Sequence, residues 1–204
     1  MPIGCYKTTF LNGRGGAASG WDQWQDRHEL LLTNSQRERF IKHEISKYGT
    51  LDNLPIWVSA EVWDFGCTQH LYAGLHPILA RKISSFYHID DAQVLISWMK
   101  SFNFVRNICA HHRRMWNRRI VNQPRLIKAE DSELLSHLWT EDGQPINNNI
   151  YSVLCILQYL MRHISPRSQW YFKVIELMAN FNQYEKHREA MGFPENWRGM
   201  RLWN

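Results

Sequence analysis

The sequence has few cysteines, and they are widely separated. The four cysteines are Cys5, Cys67, Cys109 and Cys155. A disulfide framework or a zinc ribbon needs cysteines at close, ligand-like spacings, and this chain has no such pair. The pattern therefore excludes a disulfide-stabilised scaffold and indicates a reducing compartment.

The sequence also lacks a long apolar run. The longest one, residues 151–161, contains Gln158 and is about half of the ~20 residues that a membrane-spanning helix needs. The first seven residues have no apolar stretch after a basic start, so no secretory signal is recognised. The sequence predicts a cytoplasmic protein that has no contact with a membrane.

Acidic residues are missing from one segment. Between Ala92 and Ala129 there is no Asp or Glu, although the chain as a whole has 19 of them and a net charge of +5. The segment carries eight basic residues, which are Lys100, Arg106, Arg113, Arg114, Arg118, Arg119, Arg125 and Lys128. Such a field attracts a polyanion, most commonly nucleic acid. An ordinary solvated basic surface is the alternative.

Strand-like alternation of useful length is absent, and so are internal repeats. Helical periodicity instead predicts an all-α fold of about six to seven helices. Residues 1–34 are predicted to form an irregular, flexible N-terminal leader, because residues 13–20 are rich in glycine. Residues 35–204 are predicted to form one helical domain. Its later helices are expected from residue 90 or 91 to about 116, then at about 131–140, 148–164 and 167–190, with a basic linker at 117–128.

Two neighbouring histidines separate on the long predicted helix. At 100° per residue, His112 falls in the apolar stripe with Val94, whereas His111 lies at the edge of the polar side with Asn107. His112 is therefore predicted to pack in the core, and Asn107, one turn before His111, to orient its imidazole. Arg106 lies 140° from His111 on this wheel. The side chains of Arg106 and His111 can reach one phosphate only if the edge of the helix faces a groove. The alternative is that a second copy of the chain supplies the missing groups.

A thirteen-residue block resembles a known family signature. Residues 106–118 read RNICAHHRRMWNR, and this block resembles the signature of the AbiD/AbiF-like abortive-infection family. That family is part of the HEPN superfamily, whose active site is an Arg followed by four to six residues and a His. Further stretches that agree with the family pattern are 40–48, 54–57, 60–62, 65–66, 191–194 and 196–197. The resemblance covers roughly residues 36 to 204.

The resemblance implies an HEPN-like helical bundle and a metal-independent endoribonuclease that cleaves RNA through the 2′-hydroxyl. It implies a phage-defence toxin that needs no cofactor, is held in check by an antitoxin RNA or protein, and forms a homodimer with a composite active site. Arg106 and His111 would be catalytic, and Asn107 would support them. His112 and Glu61 are further candidates for support. Candidates for holding RNA are Arg113, Arg114, Trp116, Asn117, Arg118 and Arg119.

The residue types suit this chemistry. Histidine can accept or donate a proton near neutral pH, and such positioned transfer is worth about 10²–10⁴-fold in rate. Arginine remains charged and can grip two phosphate oxygens through its planar fork.

Two other functions stay open. The first is an HEPN-like module that binds RNA or protein without cutting it. The second is a metalloenzyme that uses His111 and His112, but adjacent histidines point about 100° apart on a helix and no acidic ligand lies nearby in sequence. Arg106 could instead form a structural ion pair with Glu61, and Trp116 could be a core residue.

Overall fold

A computed structural model describes residues 20–51, 54–181 and 184–204. Most of the predicted leader, residues 1–19, lies outside these ranges. Within them the fold is all-α, as predicted, and β-structure is limited to isolated bridge residues, which are Pro55, Leu75 and the pair Trp139 and Pro145. None of the described helices is long and apolar enough to cross a membrane. The α-helices are α1 Gly20–Asn34, α2 Arg39–Tyr48, α3 Ile56–Ala60, α4 Phe65–Gly74, α5 Pro77–Ser85, α6 Ala92–Ala110, α7 Ile150–Ile164, α8 Trp170–Asn180 and α9 Tyr184–Met191.

The chain divides into two compact units between Lys82 and Ile83. In the first unit, α1 packs against α4, and Trp21 and Trp24 are buried with Cys67. Residues 20–34 had been predicted as part of an irregular leader, and for them that prediction was wrong. Trp21, Trp24, His28 and Leu32 are spaced three to four residues apart and are all buried, which is the pattern of an amphipathic helix.

A second cluster in the first unit joins α2 to its flanking segments. Ile41 of α2 is fully buried together with Leu32 and Leu54, and Ile45 and Tyr48 pack against them. The opposite side of α2 is exposed. This unit therefore takes its stability from the apolar faces of short helices.

The second unit is built on α6 and α7. The Asp91 carboxylate accepts a hydrogen bond from the Gln93 amide at 2.8 Å and caps α6. Trp98 of α6 is fully buried and meets the ring of Tyr159 of α7 edge-on, with 5.5 Å between the ring centroids. Residues 94–96, 98, 101 and 108 form the buried side of α6.

The basic linker is hydrogen-bonded to α6 and to the residues just before α7. The Trp98 indole donates to the Arg125 carbonyl at 2.6 Å, and the Arg125 amide donates to the Ser97 hydroxyl at 2.8 Å. Ser101 donates to the Asn122 carbonyl, and the Ile120 amide donates to the Asn148 carbonyl at 2.8 Å. A segment without helix is thus held by three hydrogen bonds between side chains and backbone groups and by one between two backbone groups.

The later helices differ in part from the prediction. Residues 131–140 contain only a 3-10 turn, Ser136–Leu138, in place of a helix. The helix predicted at 167–190 is replaced by α8 and α9. Two further 3-10 turns, Trp197–Gly199 and Arg201–Trp203, follow near the end of the chain.

Candidate functional site at the end of helix α6

Helix α6 ends earlier than the sequence indicated. It stops at Ala110, where the His112 amide donates to the Cys109 carbonyl and the Arg113 amide to the Ile108 carbonyl, both at 3.0 Å. These two bonds form a Schellman motif, and His112 takes its left-handed position with φ of 52°. Glycine or asparagine usually holds that position. A histidine there gives the sequence no visible stop signal.

The position of His112 corrects one prediction. The residue lies beyond the helix and is exposed, so it does not pack in the apolar stripe. Cys109, one turn earlier, is exposed as well. The apolar face of α6 ends with Ile108.

His111 is exposed, as predicted. It is the C-cap of α6, with φ of −95° and ψ of 15°, and its amide donates to the Asn107 carbonyl at 3.2 Å. The backbone of His111 is therefore fixed by the helix end, whereas its imidazole is open to solvent.

Arg106 and Asn107 are brought together by their side chains. The Arg106 Nη1 donates to the Asn107 Oδ1 at 3.0 Å, and both residues are exposed. We had expected Asn107 to orient the imidazole of His111. The structure gives its side-chain oxygen the guanidinium of Arg106 as partner, because the two side chains are adjacent on the surface of α6.

Most cations of the acid-free segment have no counter-charge. Arg125 lies 3.9 Å from Asp91, and Lys128 lies 3.4 Å from Glu130. The other six form no ion pair with any described residue of the second unit: Lys100, Arg106, Arg113, Arg114, Arg118 and Arg119. All six are exposed. This concentration of unpaired positive charge can hold a polyanion.

Trp116 belongs to an aromatic contact that sequence reasoning missed. Its ring lies 4.1 Å from that of His187, centroid to centroid, with 35° between the planes. The Arg114 guanidinium carbon lies 5.8 Å from the Trp116 centroid. His187 is on α9, far along the chain from Trp116, so no local pattern could have linked the two residues. Trp116 is half-buried, and Asn117 beside it is exposed.

Glu61 lies in the first unit, where it caps the C-terminal end of α3 and is exposed. Its supporting role and its pairing with Arg106 remain predictions. Across the described ranges, no group of three or more His, Cys, Asp and Glu side chains is placed to hold a metal ion.

The fold and the site together define a class of protein. It is all-helical and carries an exposed Arg, Asn and His at the end of one helix in a basic segment. The chain belongs to the Abi-like protein family, whose model matches residues 6–117, more than half of its 204 residues. This membership suggests a role in abortive infection, a defence against phage. No curated protein and no solved structure matches the chain.

The matched range differs from the range of the resemblance seen in the sequence. The match starts at residue 6, inside the predicted leader, and ends at Asn117, just after the candidate site. Residues 191–197, which also resembled the family pattern, lie outside it. Arg106, Asn107, His111 and Trp116 all lie within the matched part.

Proposed function

We propose that the protein is a metal-independent endoribonuclease of the HEPN type that acts as an abortive-infection toxin. One observation carries the proposal. An exposed arginine, hydrogen-bonded to Asn107, and an exposed histidine lie near the end of one helix, in a segment with five further cations without ion-pair partners among the described residues of the second unit. An AbiD/AbiF-like subtype fits the block at residues 106–118.

Binding of RNA follows from the charge. Arg113, Arg118 and Arg119 would neutralise backbone phosphates next to the scissile one, with Lys100 further back on α6. Arg106 would place its planar fork on two oxygens of the scissile phosphate. The bond to Asn107 uses one hydrogen of Nη1 and leaves Nε and Nη2 of Arg106 for the phosphate oxygens. It also reduces the number of orientations that the side chain must lose on binding.

The chemical step needs one proton acceptor and one proton donor. The 2′-oxygen attacks phosphorus while its proton passes to a base, and the bond from phosphorus to the 5′-oxygen breaks as an acid protonates that oxygen. The products are a 2′,3′-cyclic phosphate and a 5′-hydroxyl. Arg106 would stabilise the extra negative charge on the pentacovalent phosphate. His111 would be the acid or the base.

A second imidazole is required for the other role. His111 and Arg106 are roughly 7 Å apart along the axis of α6 and point to different sides of it. Two copies of the chain would supply two His111 and two Arg106 side chains around one phosphate. We therefore propose a homodimer with a composite site. A toxin of this kind needs a neutralising RNA or protein in healthy cells.

Cleavage of RNA in the presence of EDTA tests the proposal. We expect the unaltered protein to cleave, and His111→Ala and Arg106→Ala each to lose about 10²–10⁴-fold in rate. His43→Ala and Arg167→Ala, at exposed positions outside the segment, are the matched controls. Cleavage that persists in both site variants, or that EDTA abolishes, would contradict the assignment.

Mixing active and inactive chains tests the composite site. If two copies build one site and both His111 side chains are needed, co-refolding the unaltered protein with an excess of His111→Ala chains lowers the activity per unaltered chain, because most unaltered chains then pair with a copy that lacks the second imidazole. An activity per unaltered chain that stays constant as His111→Ala chains are added would contradict the shared site.

The six unpaired cations would serve a binding module equally well. A protein that binds RNA tightly in EDTA and never cleaves it would favour that second function. Metal analysis of the purified protein tests the metalloenzyme hypothesis.

A further inference from the structure

The contact between Trp116 and His187 has no role in the proposed cleavage. Trp116 lies five residues after His111, so the alpha carbons of these two residues are at most about 18 Å apart. Trp116 is half-buried, as is His187. An indole next to a cationic segment is a surface on which an unpaired base can stack.

We infer that Trp116, supported by His187, forms a stacking site for an unpaired nucleobase and that single-stranded RNA is therefore the ligand of this surface. The inference deepens the proposed function and rests on its assignment of the basic segment to RNA. The juxtaposition of an indole, an imidazole and a guanidinium carries it.

The imidazole gives the indole a fixed orientation. With 4.1 Å between centroids and 35° between planes, the two rings are in contact. His187 is held on α9, and the neighbouring Arg188 is anchored to the Phe193 carbonyl by a 3.0 Å hydrogen bond. A pre-oriented ring loses little conformational entropy when a base binds to it.

The guanidinium of Arg114 is a contact that a base can replace. At 5.8 Å from the indole centroid it makes an exposed cation–π interaction, worth about 0.5–1 kcal/mol. Stacking of a base on an aromatic side chain is worth about 1–3 kcal/mol. Since stacking is the stronger interaction, the base displaces the Arg114 guanidinium from the indole. Arg114 then becomes available for the adjacent phosphate. A duplex gains none of this, because its bases are already stacked on each other.

Binding assays in a cleavage-deficient His111→Ala background test the inference. The probes are a fluorescein-labelled single-stranded RNA of about 12 nucleotides, in the range of known single-strand sites, and a blunt duplex of the same length. We expect Trp116→Leu to raise the Kd for the single strand about 5- to 150-fold and to leave the duplex Kd unchanged. Trp116→Tyr should restore most of the single-strand affinity. Trp57→Leu, at an exposed tryptophan of the first unit, is the matched control.

Two results would overturn the inference: equal losses for single strand and duplex, or no loss for either. Should Trp116→Leu fail to fold, the same background is titrated with single strands in which each base in turn is removed. At least one abasic position must then weaken binding by about the same factor, and uniform binding across the series contradicts the stacking site.

The outcome is separate from that of the nuclease proposal. Selective loss of single-strand binding in a protein that never cleaves RNA would support the stacking site and reject the enzyme. Cleavage by an unaltered protein whose Trp116→Leu variant binds normally would do the reverse.

Discussion

Histidines occur in two contrasting surroundings in this protein. His28 in the first unit is buried, stacks on Trp24 at 5.0 Å, and accepts a hydrogen bond from the Trp63 indole at 2.8 Å. His111 and His112 at the end of α6 are exposed. In the second unit, the His137 ring nitrogen lies 3.1 Å from the Tyr151 hydroxyl.

The difference separates structural histidines from those available for chemistry. Burial lowers the pKa of His28 and of His137 below the ordinary value. A neutral ring whose nitrogens face the core cannot exchange protons with a substrate. His111 and His112 at the end of α6 are exposed, so their side chains contribute little to packing. Substitutions at His28 and His137 should therefore affect mainly the stability of the fold. Substitutions at the exposed end of α6 should affect mainly function.

The largest contrast in stability is expected on α6 itself. Trp98→Ala should lower the free energy of unfolding by about 3–5 kcal/mol, because it leaves a cavity and the Arg125 carbonyl loses its donor. Arg106→Ala, at an exposed position of the same helix, should change it by less than about 0.5 kcal/mol. Urea unfolding measures both. Similar losses for the two variants would erase the distinction between the two faces of α6.

The pH dependence of stability should come from buried His28 and half-buried His137. In the unfolded chain, His28 and His137 take up protons as the pH falls below about 6.5, whereas in the folded state their lowered pKa values delay this uptake. Stability is then fully present above that pH and decreases below it, by at most about 1.4 kcal/mol per pH unit for each histidine. Urea unfolding between pH 5 and pH 8 should show this decrease. It should be smaller in His28→Gln and His137→Gln, and an unchanged slope in both would contradict the assignment.

The unpaired cations should be visible in the salt dependence of RNA binding. Arg118→Ala should reduce the slope of log affinity against log salt by about 0.7 for a single strand, because one phosphate contact is lost. Arg167→Ala, outside the segment, should leave the slope as it is. Anisotropy titrations across a salt series measure it, and equal slopes for all three proteins would argue that Arg118 is only a solvated side chain.

The smallest effect is expected at His112. A non-glycine residue in the left-handed region is strained by about 1–2 kcal/mol, so His112→Gly should raise the free energy of unfolding by about 0.5–1 kcal/mol. The same variant should keep its cleavage rate if His111 alone serves each chain. Loss of cleavage without loss of stability would indicate that His112 takes part in the chemical step.

The sequence was informative where periodicity and charge carried the signal. Predictions of an all-α fold, of a helix capped at residue 90 or 91, and of an exposed His111 are confirmed. The acid-free segment was visible from composition alone. Arg106 and His111 stay predictions as catalytic residues, because chemistry cannot be read from exposure.

The errors have local physical causes. The end of α6 was placed six residues late because His112 occupies a position that glycine normally marks. The helix of residues 20–34 was missed because the glycines before it suggested irregular structure. The hydrogen bond between Arg106 and Asn107 was not anticipated, because a helical wheel does not show contacts between adjacent side chains. The supporting role of Asn107 stays a prediction. The contact between His187 and Trp116 was not predicted, because it joins residues far apart in the chain and no local sequence pattern indicates it.

The end groups of the RNA fragments test the central proposal most directly. If Arg106 and His111 drive attack by the 2′-hydroxyl, cleavage in EDTA leaves a 2′,3′-cyclic phosphate on one fragment and a 5′-hydroxyl on the other. A single 2′-deoxy substitution before the scissile phosphate should then block cleavage at that site. Fragments that carry a 3′-hydroxyl and a 5′-phosphate, or cleavage that is indifferent to the 2′-deoxy substitution, would contradict it.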